Sequence, residues 1–224
     1  MDRELKFTFS NGRAAGALAL LRARMRADPT YPHAVVSTLY YDDSDWSRLR
    51  AKLNSDYLKE KVRLRWYTGP LTAGSPGFVE MKSRIGACRD KVRVATPYSS
   101  VWLDRAPIGD PALARAPMLL QARGLGSAAA RLRPMFVVRY ERYRFVEPQT
   151  GSRVNLDIDI AVTAVNRAAL GGAAPCGLST AVVEIKGPET DLPAALHVLL
   201  RLGCRRASFS KYSACYQRLL RAMF

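Results

Sequence analysis

From Lys61 to Tyr67 charged and apolar residues alternate without a break: Lys61, Arg63 and Arg65 against Val62, Leu64 and Trp66. A strand turns successive side chains to opposite faces, so this pattern predicts a strand with three cations on one side and an apolar stripe on the other. The same two-residue period recurs along the chain. It predicts strands over Arg3–Phe9, Val35–Tyr41, Lys59–Thr68, Phe78–Ile85, Arg89–Thr96, Met135–Val146, Arg153–Val162 and Thr180–Lys186. Helices are expected from an N-cap at Ser10 to about Arg26, over Asp45–Leu53, from a cap at Asp191 to Leu202, and from the Ser208–Tyr212 stretch to Met223. The Ala-, Leu- and Arg-rich stretch from Pro97 to Arg133 is broken by Pro107, Pro111 and Pro117 and predicts short helices.

Each strand needs somewhere to bury its apolar face, and the helices need something to pack on. If helices coat the outside, the apolar faces point outward to them and the charged faces point inward. The expected architecture is therefore an α+β fold: one domain over residues 1–224, an eight-stranded antiparallel β-barrel with a polar, basic interior, helices outside. The inward set would be Lys6, Lys61, Arg63, Arg65, Lys82, Arg84, Lys91, Arg93, Arg142, Arg153 and Lys186, interleaved with Glu4, Glu80, Asp157, Asp159 and Glu184.

Charge changes the picture next. Thirty-five Lys and Arg against 19 Asp and Glu leave a net charge of +16, which implies an anionic partner. A charged strand face is ordinarily solvated surface. Repetition across six strands, with cations outnumbering acids, favours a site instead. Crowded cations in a low-dielectric tube suit linked phosphates, because arginine forks match phosphate oxygens. The carboxylates suit one or two hard ions, Mg²⁺ or Mn²⁺. For Asp157 and Asp159, pairing with a neighbouring arginine is an equal alternative. Four scattered cysteines and two histidines, with no CxxC pair, argue against zinc and read as reduced thiols of a cytoplasmic protein. The longest apolar run, Ala14–Leu21, is too short to cross a bilayer, so membrane association would need a partner.

The motifs Glu4-Leu5-Lys6, Ser37-Thr38-Leu39-Tyr40-Tyr41-Asp42, Val62-Arg63-Leu64-Arg65-Trp66-Tyr67, Glu80-Met81-Lys82, Tyr140-Glu141-Arg142, Arg153-Val154-Asn155-Leu156-Asp157, Glu184-Ile185-Lys186 and Phe209-Ser210-Lys211-Tyr212 together resemble the VTC domain. That is the polyphosphate polymerase domain of the vacuolar transporter chaperone family, among the triphosphate tunnel metalloenzymes. The resemblance spans the chain in order, except Pro97–Arg133. It implies ATP-dependent, metal-dependent polyphosphate synthesis in a tunnel. Lys6, Arg63, Arg65, Lys82, Arg142, Arg153 and Lys211 would be catalytic phosphate ligands, and Glu184 would hold Mn²⁺ or Mg²⁺. Arg84, Lys91, Arg93 and Lys186 join the phosphate-binding set through alternation more than through motif. Implied partners are ATP and polyphosphate or pyrophosphate.

Two other readings stay open at this point. A tunnel triphosphatase or nucleotide cyclase would use the same cations. A non-catalytic module binding RNA or polyphosphate would need no turnover. Nucleic acid is disfavoured, because the aromatic residues fall mostly on apolar faces rather than among the cations.

Overall fold

The computed structural model describes residues 3–86, 88–123 and 131–222. The strands are β1 (Arg3–Ser10), β2 (Arg26–Ala27), β3 (His33–Asp42), β4 (Leu58–Thr68), β5 (Pro76–Ile85), β6 (Cys88–Ser99), β7 (Arg133–Val146), β8 (Arg153–Val165), β9 (Cys176–Gly177), β10 (Thr180–Gly187) and β11 (Arg205–Arg206). The α-helices are α1 (Ala14–Arg24), α2 (Ser47–Leu53), α3 (Ser100–Arg105), α4 (Pro111–Arg115) and α5 (Lys211–Arg221). Tighter 3₁₀ turns occupy Asn11–Arg13, Ala116–Arg123 and Ala194–Leu202.

The fold is α+β with a largely antiparallel sheet, but the expected closed barrel of eight strands is not what the hydrogen bonding gives. The described residues form an 11-stranded sheet, joined in the order β11-β1-β10-β8-β7-β3-β4-β5-β6, with β2 on β7 and β9 on β8. That ladder is open, ending on β11 and β6. The three additional strands are two residues long, too short to show any period in the sequence.

The chain divides into two compact units. The first comprises Met1–Val35, Tyr140–Ile160 and Gly177–Ser210. Its core is the apolar side of β1, β8 and β10 (Leu5, Phe7, Phe9, Val154, Leu156, Val183 and Ile185), covered by Ala17 and Leu21 of α1 and by Leu196 and Leu199. The second comprises Val36–Arg139, Ala161–Cys176 and Lys211–Phe224. Here Val62, Leu64, Trp66, Val79 and Met81 pack beneath Leu103 of α3, Leu113 of α4 and Leu120. So the Pro97–Arg133 stretch covers one sheet face with short helices, as its prolines suggest; residues 124–130 of it lie outside those described.

Several local expectations shift, each for a visible reason. Ser10 ends β1 and makes no side-chain cap; the α-helix begins at Ala14, after the 3₁₀ turn Asn11–Arg13. The Asn11 amide is committed elsewhere: Nδ2 donates to Asp159 Oδ1 at 2.7 Å, and the Asp159 amide donates back to Asn11 Oδ1 at 3.0 Å. Asp159 sits at φ 51°, a left-handed kink in β8, and its carboxylate is engaged by Asn11. Asp191 accepts from the Leu192 amide, and the segment starting after Pro193 winds as a 3₁₀ helix. The expected helix from Asp45 starts at Ser47, because the Asp42 and Asp43 carboxylates gather the amides at its entrance. The last helix is described to Arg221, and Met223 lies outside the described residues.

Candidate functional site

The charged side of β4, β5 and β6 in the second unit is built by register. Lys59, Arg84 and Arg89 form one rung across the three strands, and Lys61, Lys82 and Lys91 the next. Arg63, Glu80 and Arg93 form the third, and Arg65, Phe78 and Ala95 the fourth. Rungs two residues apart are about 7 Å apart along the strands. The intervening residues Val62, Leu64, Val79 and Met81 are the core, which pins this register: a slip of one residue would bury the cations. The face thus carries nine cations and one carboxylate.

Exposure is graded across it. Arg63 and Arg65 are buried at 9% and 8% exposure, Lys61 and Lys82 are half-buried, and Arg84, Arg89, Lys91 and Arg93 are exposed. Glu80 is the internal counter-charge. Its Oε2 accepts from Arg63 Nε at 2.8 Å and lies 2.6 Å from Arg63 Nη2. Its Oε1 lies 2.7 Å from Lys91 Nζ and 3.6 Å from Arg93 Nε. Burial pushes this carboxyl up, but Arg63, Arg65 and Lys91 together outweigh burial and hold it at about 2. Arg65 donates from Nε to Thr38 Oγ1 at 3.3 Å, and the Arg93 guanidinium lies 3.5 Å over the Phe78 ring.

Lys61 rests on an aromatic seat. Its ammonium lies 5.9 Å from the Tyr40 ring and 5.7 Å from the Tyr212 ring, which stack on each other at 4.6 Å. The Tyr212 hydroxyl donates to Asp42 Oδ2 at 2.7 Å. Asp42 is fully buried and also accepts from the amides of Arg48 and Leu49, at the entrance to α2. Tyr212 follows Lys211, the first residue of α5, so this bond anchors the helix end that presents that lysine. Tyr212→Phe is expected to cost about 2 kcal/mol, the worth of a buried hydrogen bond to a charged acceptor. A thermal melt would register the loss, and an unchanged melting temperature would remove the anchor.

In the first unit a second charged side forms on β1, β10 and β8. Glu4, Lys186 and Arg153 share one rung, and Lys6, Glu184 and Asn155 the next. Lys6 Nζ lies 2.9 Å from Glu4 and 3.8 Å from Glu184, and donates to the Phe209 carbonyl at 3.2 Å. Lys186 Nζ lies 2.9 Å from Glu184 Oε1. Arg153 is exposed. Arg142 spends its fork on Asp157, with Nε at 2.6 Å and Nη2 at 2.7 Å from the two carboxylate oxygens. Of the two roles open to Asp157, the geometry gives the arginine partner.

Register therefore brings Arg63, Arg65, Lys82, Arg84 and Arg93 together on one face, and Lys6, Lys186, Arg153 and Glu184 on another. Lys61 entered the sequence reading as a member of an alternating row, and Glu80 as a member of such a row and of the Glu80-Met81-Lys82 motif. Their special positions depend on partners across the sheet and on Tyr212, far along the chain. Among the described residues no group of three or more His, Cys, Asp or Glu is placed to hold a metal. Glu4 and Glu184 flank Lys6, and their carboxylates are a small, hard, all-oxygen donor pair that a metal would share with Lys6 and Lys186. That set fits Mg²⁺ or Mn²⁺, which typically take one or two protein carboxylates and complete their shell with water and phosphate oxygens.

The VTC domain family model matches residues 2–220, and the chain belongs to that family. No curated protein matches it. Among solved structures, a candidate adenylate cyclase from Bacillus halodurans is similar in fold, with a TM-score of 0.54 at 12% identity over 94% of each chain. A candidate adenylate cyclase from Vibrio parahaemolyticus aligns with a TM-score of 0.48 at 13% identity, over 99% of this chain and 98% of that one. No helix among the described residues is long and apolar enough to cross a membrane.

Proposed function

We propose that this protein is a metal-dependent polyphosphate polymerase, which moves the γ-phosphate of ATP along a basic strand face onto a phosphate, pyrophosphate or polyphosphate end. The observation that carries the reading is the composition of the β4–β6 face: nine cations around a single carboxylate that is itself held ionised. Phosphoryl transfer is mainly positioning and charge stabilisation. Arg63 and Arg65, buried and forked, would grip the β- and γ-phosphates, with Lys82 beside them. Lys211 would serve the second unit as a further phosphate ligand, and Lys6, Arg153 and Lys186 would be phosphate ligands of the first unit, where Arg142 is committed to Asp157. A terminal oxygen of the acceptor attacks the γ-phosphorus; the bond from that phosphorus to the β,γ-bridging oxygen breaks, and ADP leaves with the electron pair. The cations stabilise the charge arriving on ADP. Glu184, with Glu4 beside it, would hold Mn²⁺ or Mg²⁺, which when bound supplies charge neutralisation to phosphate oxygens.

Polymerisation also suits the one acid on that face. A cyclase or a triphosphatase must remove a proton from a ribose hydroxyl or from water. Glu80, held at about 2 by burial opposed by Arg63, Arg65 and Lys91, is a poor base. A phosphate acceptor arrives already ionised and needs none. The similarity in fold to the candidate adenylate cyclase from Bacillus halodurans keeps cyclic nucleotide as the second product to look for.

The test is product analysis after incubation with ATP and Mn²⁺, with and without a pyrophosphate primer. Polyphosphate chains on a gel are expected. Free phosphate alone makes the protein a triphosphatase, cyclic nucleotide makes it a cyclase, and untouched ATP leaves only a binding module. In the same assay Glu184→Gln is expected to move the metal titration to about tenfold higher metal or beyond, as a lost ligand does. An unchanged titration curve would remove Glu184 from the metal site.

A further inference from the structure

A cavity of about 260 Å³ lies on the other side of β4 from the cation face. Leu58 and Glu60 line it, and they alternate along the strand with Lys59 and Lys61, so they point away from the cation rungs. Ser47, Arg48 and Ala51 of α2 line it too, with Asp43 from the turn before that helix and Arg131 from just before β7. All of these residues belong to the second unit. The volume falls below the roughly 300–1,000 Å³ of pockets that take drug-sized molecules, so the occupant is small.

Arg48 is the side chain that lacks an occupant's atoms. It is 10% exposed, and its Nε is buried with no hydrogen-bond partner among the described residues. Its carboxylate neighbours stand off: Nη1 is 3.6 Å from Asp43 Oδ2, and Nη2 is 3.7 Å from Glu60 Oε2. Both distances exceed hydrogen-bond length. Arg63 and Arg142, by contrast, meet their carboxylates at 2.6 to 2.8 Å. A buried guanidinium short of acceptors is costly, and folded proteins ordinarily satisfy such groups. The two acids differ in what they have left to give. Asp43 already accepts from the Ser47 hydroxyl and from the amides of Asp45 and Ser47. Glu60 is 36% exposed, and among the described residues its one ion pair is the long contact with Arg48.

We propose that this cavity binds a small zwitterion, a free α-amino acid, with its carboxylate on the Arg48 and Arg131 guanidinium groups, its ammonium on Glu60, and its side chain against Leu58 and Ala51. Charge complementarity selects this class. A lone oxyanion such as phosphate would meet the repulsion of Asp43 and Glu60. A lone metal ion would meet that of Arg48 and Arg131. A molecule carrying both charges a few bonds apart answers both sides, and an arginine fork matches a carboxylate with two parallel bonds. The site uses no residue of the cation face, so it stands apart from the phosphate-transfer reading.

The experiment is a thermal-shift screen of the full chain with each standard amino acid, with inorganic phosphate and with Mg²⁺, followed by calorimetric titration of the best amino acid. That ligand should raise the melting temperature by mass action. Its analogues lacking the ammonium or the carboxylate should bind at least about tenfold more weakly, as loss of a charge-assisted bond implies. Arg48→Met removes a guanidinium that makes no hydrogen bond among the described residues, so it should fold like wild type and lose about tenfold or more in amino-acid affinity. Glu60→Gln repeats the test from the ammonium end if the methionine variant is unfolded. Tripolyphosphate should neither compete with the amino acid nor lose affinity in either variant. No shift with any amino acid, or unchanged affinity in the variants, overturns the site. Phosphate or Mg²⁺ bound there more tightly than every amino acid overturns the ligand class, and competition by tripolyphosphate moves the ligand to the cation face and overturns the assignment. Amino-acid binding by a chain that makes no polyphosphate from ATP leaves the site standing and removes the polymerase.

Discussion

Arg65→Ala is expected to lower ATP turnover by about 10²–10³-fold, the usual consequence of removing one preorganised donor from a site where charge develops. The side chain is 8% exposed and lies beside Glu80 and Thr38, on a strand whose alternate residues form the core. The core partners Leu64 and Trp66 are untouched, so the fold should persist with a loss of about 1 kcal/mol. Arg65→Lys keeps the charge and loses the fork, and is expected to fall between the two. Steady-state rates beside thermal melts separate the cases. Full activity in the alanine variant would take Arg65 out of the site, and an unfolded chain would make it structural.

Glu80→Gln should have the largest effect on stability. The carboxylate is 1% exposed and lies within 2.6 to 3.6 Å of nitrogens on Arg63, Lys91 and Arg93. Removing its charge leaves packed cations with no answer on their own face, which costs about 3–5 kcal/mol in buried pairs. The pH dependence has a definite sign. The folded-state value, held at about 2, lies below the ordinary 4.5. The stabilisation from this group is therefore fully present above about pH 4.5 and is lost as pH falls through about 2. The stability gap between wild type and Glu80→Gln should be constant from neutral pH to about 5 and should close below 4.5. Tripolyphosphate should restore part of the lost stability, because a ligand that binds only the folded state adds stability by mass action. A variant as stable as wild type would show that the cations on this face do not need Glu80, and absence of rescue by tripolyphosphate would argue that the face does not take phosphate.

The strand faces were legible because alternation is a local property. Lys61 to Trp66 places three cations and three apolar groups on opposite sides whatever the rest of the chain does, and β4, β5 and β10 sit close to where the pattern placed them. What could not be read depends on distant partners. The two-residue strands β2, β9 and β11 exist only through pairing. Ser10 looks like a cap, but the next residue, Asn11, spends its amide on Asp159, 148 positions away. Barrel closure is likewise a matter of which strands meet, and alternation is silent on it. In the candidate site the cations were visible as a set, yet their division into rungs was not. That division needs the register of β4 on β5 on β6, and it makes Glu80 a counter-charge and leaves the Lys61 rung without an acid. The bond from Tyr212 to Asp42 spans 170 residues and joins two motifs that the sequence shows only as separate words.

A crystal structure of the protein grown with tripolyphosphate and Mn²⁺ tests most directly whether these basic strand faces exist to hold linked phosphates. The expected result is phosphate oxygens within hydrogen-bond distance of the Arg63 and Arg65 guanidinium groups and of Lys82. Tripolyphosphate bound away from that face, with Arg63 and Arg65 making only their contacts to Glu80 and Thr38, would contradict it.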